Sequence, residues 1–581
     1  MRASSFARRR AKKFRSAPRT CQCFRSSLTV GKLTLPVPGA PRREPMLRRR
    51  EFITLLGGTA AWPLATRAQQ PRVGGDPAPG TVLVAAHDVN RVGPSVDFSH
   101  GNLVVHSDGH RLRHTDGTPF VLIADTCWNV VQNLAPVDQQ VYFDTRRAQG
   151  FTAIQTRIIS VWYDSRGTKS QVPDFYGNLP FLNNDITTPN EAFFANVDAA
   201  IDRAAAAGLY LNMVLWLDRN PNWNFRGSTP TTLYNLGLWY GRRWASKSNI
   251  IWKIALDCAT ETMANGGFTG AQIWQGFYNG LHDGCGGKFL GEFHLVEVPH
   301  YTTFQDFVGS ETGHGYPDIP WFWRDWAPTM WAQGHPLWND EPNYDNCVRF
   351  DSWTPPRGDG SLKTFTAADA RTQAYWGILS SPVGTGYGMM AITEAFRPGD
   401  EAYYLSSPSG LCALPQGYWY DDINIYGESA KSMAHLRELI DSRPFLAMVP
   451  DQGLVTDTFA QELIKLDVRG WGERAVRKLF PQLLGWLLAS QDYTHIQCAR
   501  GADYAYIYSG GGAGFTVNMG RISGAQVKAY WFNPRNGQVT FVGRYTNSGT
   551  QFFDPPGVTA RGNDWVLILD DANSGYQLPG A

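Results

Sequence analysis

Apolar and polar positions alternate in a repeating order from about Arg111 onward. A short apolar run at 120–124 reads as a strand, and 137–149 has helical spacing closed by Gly150. A second strand is expected at 151–159, an Ala-rich helix at 196–207 ending at Gly208, and a third strand at 209–217. A helix at 233–246 and a fourth strand at 250–256 follow. The second half is less regular: helices at 271–282, 322–333, 367–380 and 431–442, and strands at 288–295, 335–339 and 386–393. Strand, helix and strand in alternation mean parallel strands joined by crossover helices. Seven or eight such units fit a closed barrel better than an open sheet. No glycine-rich phosphate-binding run follows any of these strands, which argues against a nucleotide cofactor.

The pattern changes after Pro444. A link with a helical patch around 477–488 leads to short alternating segments at 504–508, 526–531, 539–543 and 565–569, separated by turn residues such as Asn533-Pro534-Arg535-Asn536-Gly537. The expected fold is therefore α/β, a (β/α)8 TIM barrel followed by a small all-β sandwich. The boundaries read as a basic extension with a signal at 1–68, a lead-in at 69–110, the barrel at 111–444, a linker at 445–497 and the β domain at 498–581.

Charge sharpens this division. The net charge of +2 hides a tail, residues 1–50, with 15 Lys+Arg and the single acid Glu44. The remainder is acidic, which argues against nucleic-acid binding. Arg49-Arg50-Glu51-Phe52 precedes an apolar stretch too short to span a bilayer and a possible cleavage site at Thr66-Arg67-Ala68. This resembles a twin-arginine export signal, so the twin-arginine export machinery is an expected partner and the periplasm or the medium the expected location. Met46 is then a plausible start. No later stretch has the length of a membrane span. Six cysteines beyond the tail are scattered singly, without zinc-site spacing, and either pair or stay buried and free.

Aromatic residues make up 13% of the chain, with 21 Trp, a composition suited to stacking sugars. Reactive groups of a barrel gather at the C-terminal ends of its strands. Those ends carry Asp125 and Trp128, then Gln155 and Trp162, then Trp216 and Asp218, then Asp257, and later Glu341 and Glu394. A rim of acids and indoles is what glycosidic cleavage needs: one carboxylic acid protonates the leaving oxygen, and one carboxylate attacks or activates water. For each acid the structural alternative is a cap or a rim ion pair. No metal ligand set and no cofactor are expected, and the partner is a plant or microbial polysaccharide.

Asp125-Thr126-Cys127-Trp128, Phe151-Thr152-Ala153-Ile154-Gln155, Asn249-Ile250-Ile251-Trp252 running to Asp257, and Asn339-Asp340-Glu341-Pro342-Asn343-Tyr344 occur in one order. With Ala374-Tyr375-Trp376 and Gly384-Thr385-Gly386-Tyr387-Gly388, they resemble the apiosidase-like glycoside hydrolases of family 140, over roughly residues 111–571. The terminal domain resembles that family's collagen-binding-type module. The resemblance implies that Asp257 is the general acid/base and Glu341 the nucleophile, with the roles open to exchange. It also implies that His294 bonds the sugar. Two departures stand out: Ala255-Leu256 replaces a Gly-Gly pair, and Asp340 replaces a glycine before the glutamate. An added carboxylate at 340 is expected to raise the pKa of Glu341 by repulsion. A carbohydrate-binding protein without catalysis is the alternative function.

Overall fold

The computed structural model describes residues 76–163, 169–215, 229–254, 256, 268–288, 290–295, 302, 303, 305–313, 322–348, 364–400, 417–456 and 495–581. Eight parallel strands close into a barrel: β1 (Leu122–Thr126), β2 (Ala153–Arg157), β3 (Tyr210–Val214), β4 (Ile250–Lys253), β5 (Gly291–Leu295), β6 (Phe307–Glu311), β7 (Leu337–Glu341) and β8 (Gly384–Tyr387). The helices packed outside are α1 (Pro136–Ala148), α2 (Glu191–Ala206), α3 (Pro230–Trp244), α4 (Gly270–Cys285), α5 (Ala327–Gln333), α6 (Ala367–Ser380) and α7 (Glu428–Asp441). Local chemistry sets their ends. Thr229 and Thr269 cap α3 and α4 with reciprocal side-chain bonds, and Gly286 takes the left-handed conformation that ends α4.

Two expectations needed correction. The segment 386–393 is not one strand: β8 stops at Tyr387, and Met390–Thr393 forms a helical turn. Strand β6 was not foreseen, because Phe307-Val308-Gly309-Ser310-Glu311 offers only two adjacent large apolar residues. The helical patch expected at 477–488 lies outside the described residues.

Side chains alternate along each barrel strand between the lumen and the helices. Leu122 and Ala124 of β1, Ala153 of β2, Tyr210 of β3, Ile251 of β4, Phe307 of β6 and Trp338 of β7 form one buried apolar cluster. Leu103, Leu112 and Phe120, from the antiparallel strands Leu103–Val105, Leu112–His114 and Pro119–Phe120, belong to the same cluster and plug the N-terminal end of the barrel. Ile123 and Ile154 instead join the large core beneath the helices.

The terminal domain is a seven-stranded antiparallel sheet, with Val82–Val84 of the lead-in as one edge strand and Val449–Pro450 as the other. One face, with Ala505, Ile507, Ala529, Trp531, Leu567 and Leu569, packs with Phe515, Val517 and Phe553 of a two-stranded sheet. The opposite face, with Tyr504, Tyr506, Tyr508, Tyr530, Phe532 and Ile568, is continuous with the core of the barrel helices. Arg371 of α6 donates to Asp564 at 2.7 and 2.8 Å, and Arg443 donates to Asp570 at 2.9 and 2.7 Å, both pairs buried. The sheet is thus built into the barrel's flank. Among the described residues no helix is long and apolar enough to cross a membrane. Cys127, Cys285 and Cys498 are buried free thiols, and Cys347 is buried as well.

Candidate active site

Above the apolar plug the lumen turns polar. Thr126, Gln155, Asn212, Lys253, Glu292, His294 and Asp340 are all at 1% exposure or less, from six different strands. Each sits two residues beyond, or on the same face as, an inward apolar residue, so the change of character follows strand position and not strand identity. Lys253 at the end of β4 anchors the layer. Its ammonium donates to Asp340 at 2.6 Å and to the Gln155 carbonyl oxygen at 2.7 Å, and lies 3.2 Å from Glu292. Asn212 and the Trp338 indole donate to Glu292 at 2.6 and 3.1 Å. His294 Nδ1 meets Asp340 Oδ2 at 2.6 Å, and Gln155 donates to the backbone carbonyl of Asp340 at 2.6 Å. Gly309 of β6 makes the room. A Cβ there would lie 2.2 Å from Asp340 Oδ2 and 2.3 Å from Glu292 Oε1.

Burial and charge compete in this layer. Burial raises Asp340, but His294 and Lys253 outweigh it and hold the carboxyl below the ordinary range. Burial pulls Lys253 down, and the two carboxylates more than restore it. Glu292 goes the other way: burial pushes it up to about 7, with Lys253 opposing and the charge of Asp340 adding to the rise. The carboxylate added at position 340 is therefore absorbed by an ammonium and an imidazole directly beneath the mouth.

Glu341 ends β7 at that mouth. The ladder between β6 and β7 pairs Ser310 with Asn339 and Glu311 with Glu341, which leaves Asp340 as an extra residue. Such a bulge re-aims the side chain that follows it. One oxygen each from Glu311 and Glu341 and one ring nitrogen of His294 all lie within 4.8 Å of one another. That spacing brings two carboxylates and an imidazole to one point of the mouth. Tyr344 sits close by: burial, and then the charge of Glu341, push its phenol well up.

The other expected site residues divide clearly. Asp125 is a correction. It points outward, not into the lumen; Arg146 and Tyr142 of α1 donate to its Oδ2, the latter at 2.8 Å, and it is fully buried. The alternation that sends Ala124 and Thr126 inward sends Asp125 to the helix layer, where it ties β1 to α1. Trp128 is buried against Val214 and Leu256, with the Arg157 guanidinium carbon 4.9 Å from its ring centroid, so it forms wall and not an open stacking platform. Gln155 is at the floor of the mouth, one layer below the rim. Glu394 follows the turn Met390–Thr393 and accepts from Asn129 at 3.1 Å. Trp162 lies on the short strand Val161–Tyr163. Trp216, Asp218 and Asp257 lie outside the described residues, although Leu256, immediately before Asp257, is buried beside Trp128.

Lys253, Glu292 and Glu311 were missed from sequence. A lysine inside the apolar run Ile250-Ile251-Trp252-Lys253-Ile254 was the available signal, since a buried ammonium requires buried acceptors. Glu311 had no such signal, because its strand was not legible.

Comparison with known proteins agrees with this architecture. Two solved structures match with TM-scores of 0.65: a glycoside hydrolase family 5 protein from Bacteroides vulgatus, at 20% identity over 84% of this chain and 97% of that one, and a protein described as a glycoside hydrolase, at 21% identity over 83% and 99%. At that identity the likeness concerns the fold. No curated protein matches in sequence. Residues 487–570 match the model described as "Putative collagen-binding domain of a collagenase". Residues 106–447, more than half of the chain, match the model "Apiosidase-like, catalytic domain". The chain belongs to the apiosidase-like family.

Proposed function

We propose that this protein is an exported glycoside hydrolase that removes a terminal or branch sugar from a polysaccharide, with Glu341 as nucleophile and Asp257 as general acid/base. The observation that carries the reading is the position of Glu341: it ends strand β7 at the mouth, with Glu311 and His294 within 4.8 Å, above a floor whose buried charges are compensated. Asp257 is given the second role because it follows β4 by four residues in the sequence, and reacting groups of a barrel gather after its strands. A protonated Asp257 would donate to the leaving oxygen while the Glu341 carboxylate attacks the anomeric carbon. The resulting glycosyl ester would then be hydrolysed by water that Asp257 deprotonates. Asp340 and Lys253 touch neither step and fix the backbone that presents Glu341. The twin-arginine-like segment would direct export of the folded chain to the periplasm or beyond. The β domain, with one sheet face built into the barrel and the other covered by its own small sheet, acts in this reading as scaffold.

Hydrolysis of a panel of aryl glycosides, pentofuranosides included, by the chain from about Gln69 onward tests the reading. Glu341→Gln and Asp257→Asn are expected to lower kcat by about a thousandfold or more while leaving substrate binding measurable. Intact, folded wild-type protein that binds sugars and turns over none of them would make it a carbohydrate-binding protein instead.

A further inference from the structure

Outside the mouth, the lead-in meets α7 at a cluster of three side chains. His87 Nε2 lies 3.2 and 3.0 Å from the two carboxylate oxygens of Glu438, and His435 Nδ1 lies 3.1 Å from Glu438 Oε2. The three ligand atoms are all within 4.8 Å of one another. The other nitrogen of the His87 ring decides what this means. Nδ1 is 3.0 Å from the backbone carbonyl oxygen of Ala85, which can only accept, so Nδ1 carries the hydrogen. In the neutral ring Nε2 then presents a lone pair directly to a carboxylate. Nε2 holds that contact either by donating to the carboxylate as an imidazolium or by sharing a metal ion with it.

We propose that His87, His435 and Glu438 form a binding site for Zn2+, which staples the lead-in to the last barrel helix. Two imidazole nitrogens and one carboxylate are a common zinc donor set, with water completing the tetrahedron. Zinc bonds of about 2.0–2.2 Å give ligand-to-ligand edges of about 3.3–3.5 Å. The observed separations of 3.0 to 3.2 Å need open by only a few tenths of an ångström. A metal-bound histidine ordinarily donates its second ring N–H to a carbonyl or carboxylate, which is what Nδ1 of His87 does.

Two glycines let the surrounding backbone pack closely against the cluster. Gly537, in the β-domain turn, and Gly580, near the chain end, have φ of 71° and 73°, where a side chain would be strained. A Cβ at Gly537 would lie 2.7 Å from His435 Nδ1, and one at Gly580 would lie 2.7 Å from His87 Nε2 and 3.5 Å from Glu438 Oε2. Both would occupy the volume beside the ligand atoms. The lead-in, α7, the 533–537 turn and the C-terminal residues all converge there. A cation bound only by the folded arrangement stabilises all four. The proposal is independent of the glycosidase reading.

The test uses the full chain from about Gln69, stripped with chelator and titrated with Zn2+ by calorimetry alongside thermal unfolding. Wild-type protein is expected to bind one equivalent and to gain several degrees in Tm. His87→Gln and Glu438→Gln, shown to be folded by circular dichroism, are expected to weaken binding at least about tenfold and to lose the Tm gain. Glu311→Gln, which alters the cluster at the mouth, is expected to keep both. Absence of a zinc-dependent Tm gain in the wild type would overturn the proposal, as would undiminished binding in His87→Gln or its loss in Glu311→Gln. A Tm that ignores zinc but falls as pH rises through the imidazole range would identify the intervening cation as a proton, and would overturn it too.

Discussion

The two halves of the barrel lumen are built from the same eight strands and obey opposite rules. The N-terminal half holds Leu122, Ala124, Ile251, Phe307 and Trp338 against a hairpin plug, and needs only close packing. Two residues further along the strands, the C-terminal half holds Lys253, Asp340, Glu292 and His294, all buried and dependent on one another. The lower half supplies stability that the upper half spends on placing charge. Asp125 and Asp340 make the same point across the barrel wall. Both are buried acids near strand ends, yet one faces a helix and the other lies beneath the mouth, because the side-chain period of a strand is two.

The contrast can be broken most forcefully at Lys253. Lys253→Met would leave Asp340 and Glu292 as buried acids without their cation, and is expected to cost about 3–5 kcal/mol of stability. Chemical denaturation measures it. A loss under 1 kcal/mol would mean that water or protons already neutralise the layer. Activity per folded molecule should fall as well, since the Asp340 bulge presents Glu341. Leu122→Ala in the lower half should cost about 2–5 kcal/mol through its cavity while leaving KM and kcat of the folded fraction unchanged. A changed KM there would show that the plug communicates with the mouth.

A smaller effect separates the halves by pH. Burial lifts Glu292 to about 7 from its ordinary 4.5, so the folded protein holds that proton more tightly than the unfolded chain does. This contribution to stability is full below about 4.5 and is lost as pH rises toward about 7, by about 1–3 kcal/mol. Glu292→Gln should flatten that part of the stability profile. An identical slope in the variant would place the titration elsewhere.

Much of this was legible in the sequence because it follows from local rules. The alternation of strands with helices closed by Gly150 and Gly208 specified a parallel barrel, and the Asn339-to-Tyr344 run placed Glu341 at a strand end. What the sequence concealed depends on long-range contacts. Strand β6 is too short and too polar to show a period, so Glu311 had no frame. The neutralisation of Asp340 requires Lys253, 87 residues away, and the outward turn of Asp125 requires the exact register of β1. The attachment of the β domain through a row of tyrosines was equally hidden, since alternating Tyr504-Ala505-Tyr506-Ile507-Tyr508 does not say what each face meets.

The central claim is that the carboxylate placed at the polar mouth by the β7 bulge attacks the sugar. Incubation with a 2-deoxy-2-fluoro glycoside of the best-hydrolysed sugar, followed by proteolysis and mass spectrometry, tests it most directly. The account predicts a single glycosyl adduct on the peptide containing Glu341, absent in Glu341→Gln. An adduct on Glu311, Glu394 or another carboxylate would contradict it, as would turnover with inversion of the anomeric centre and no adduct at all.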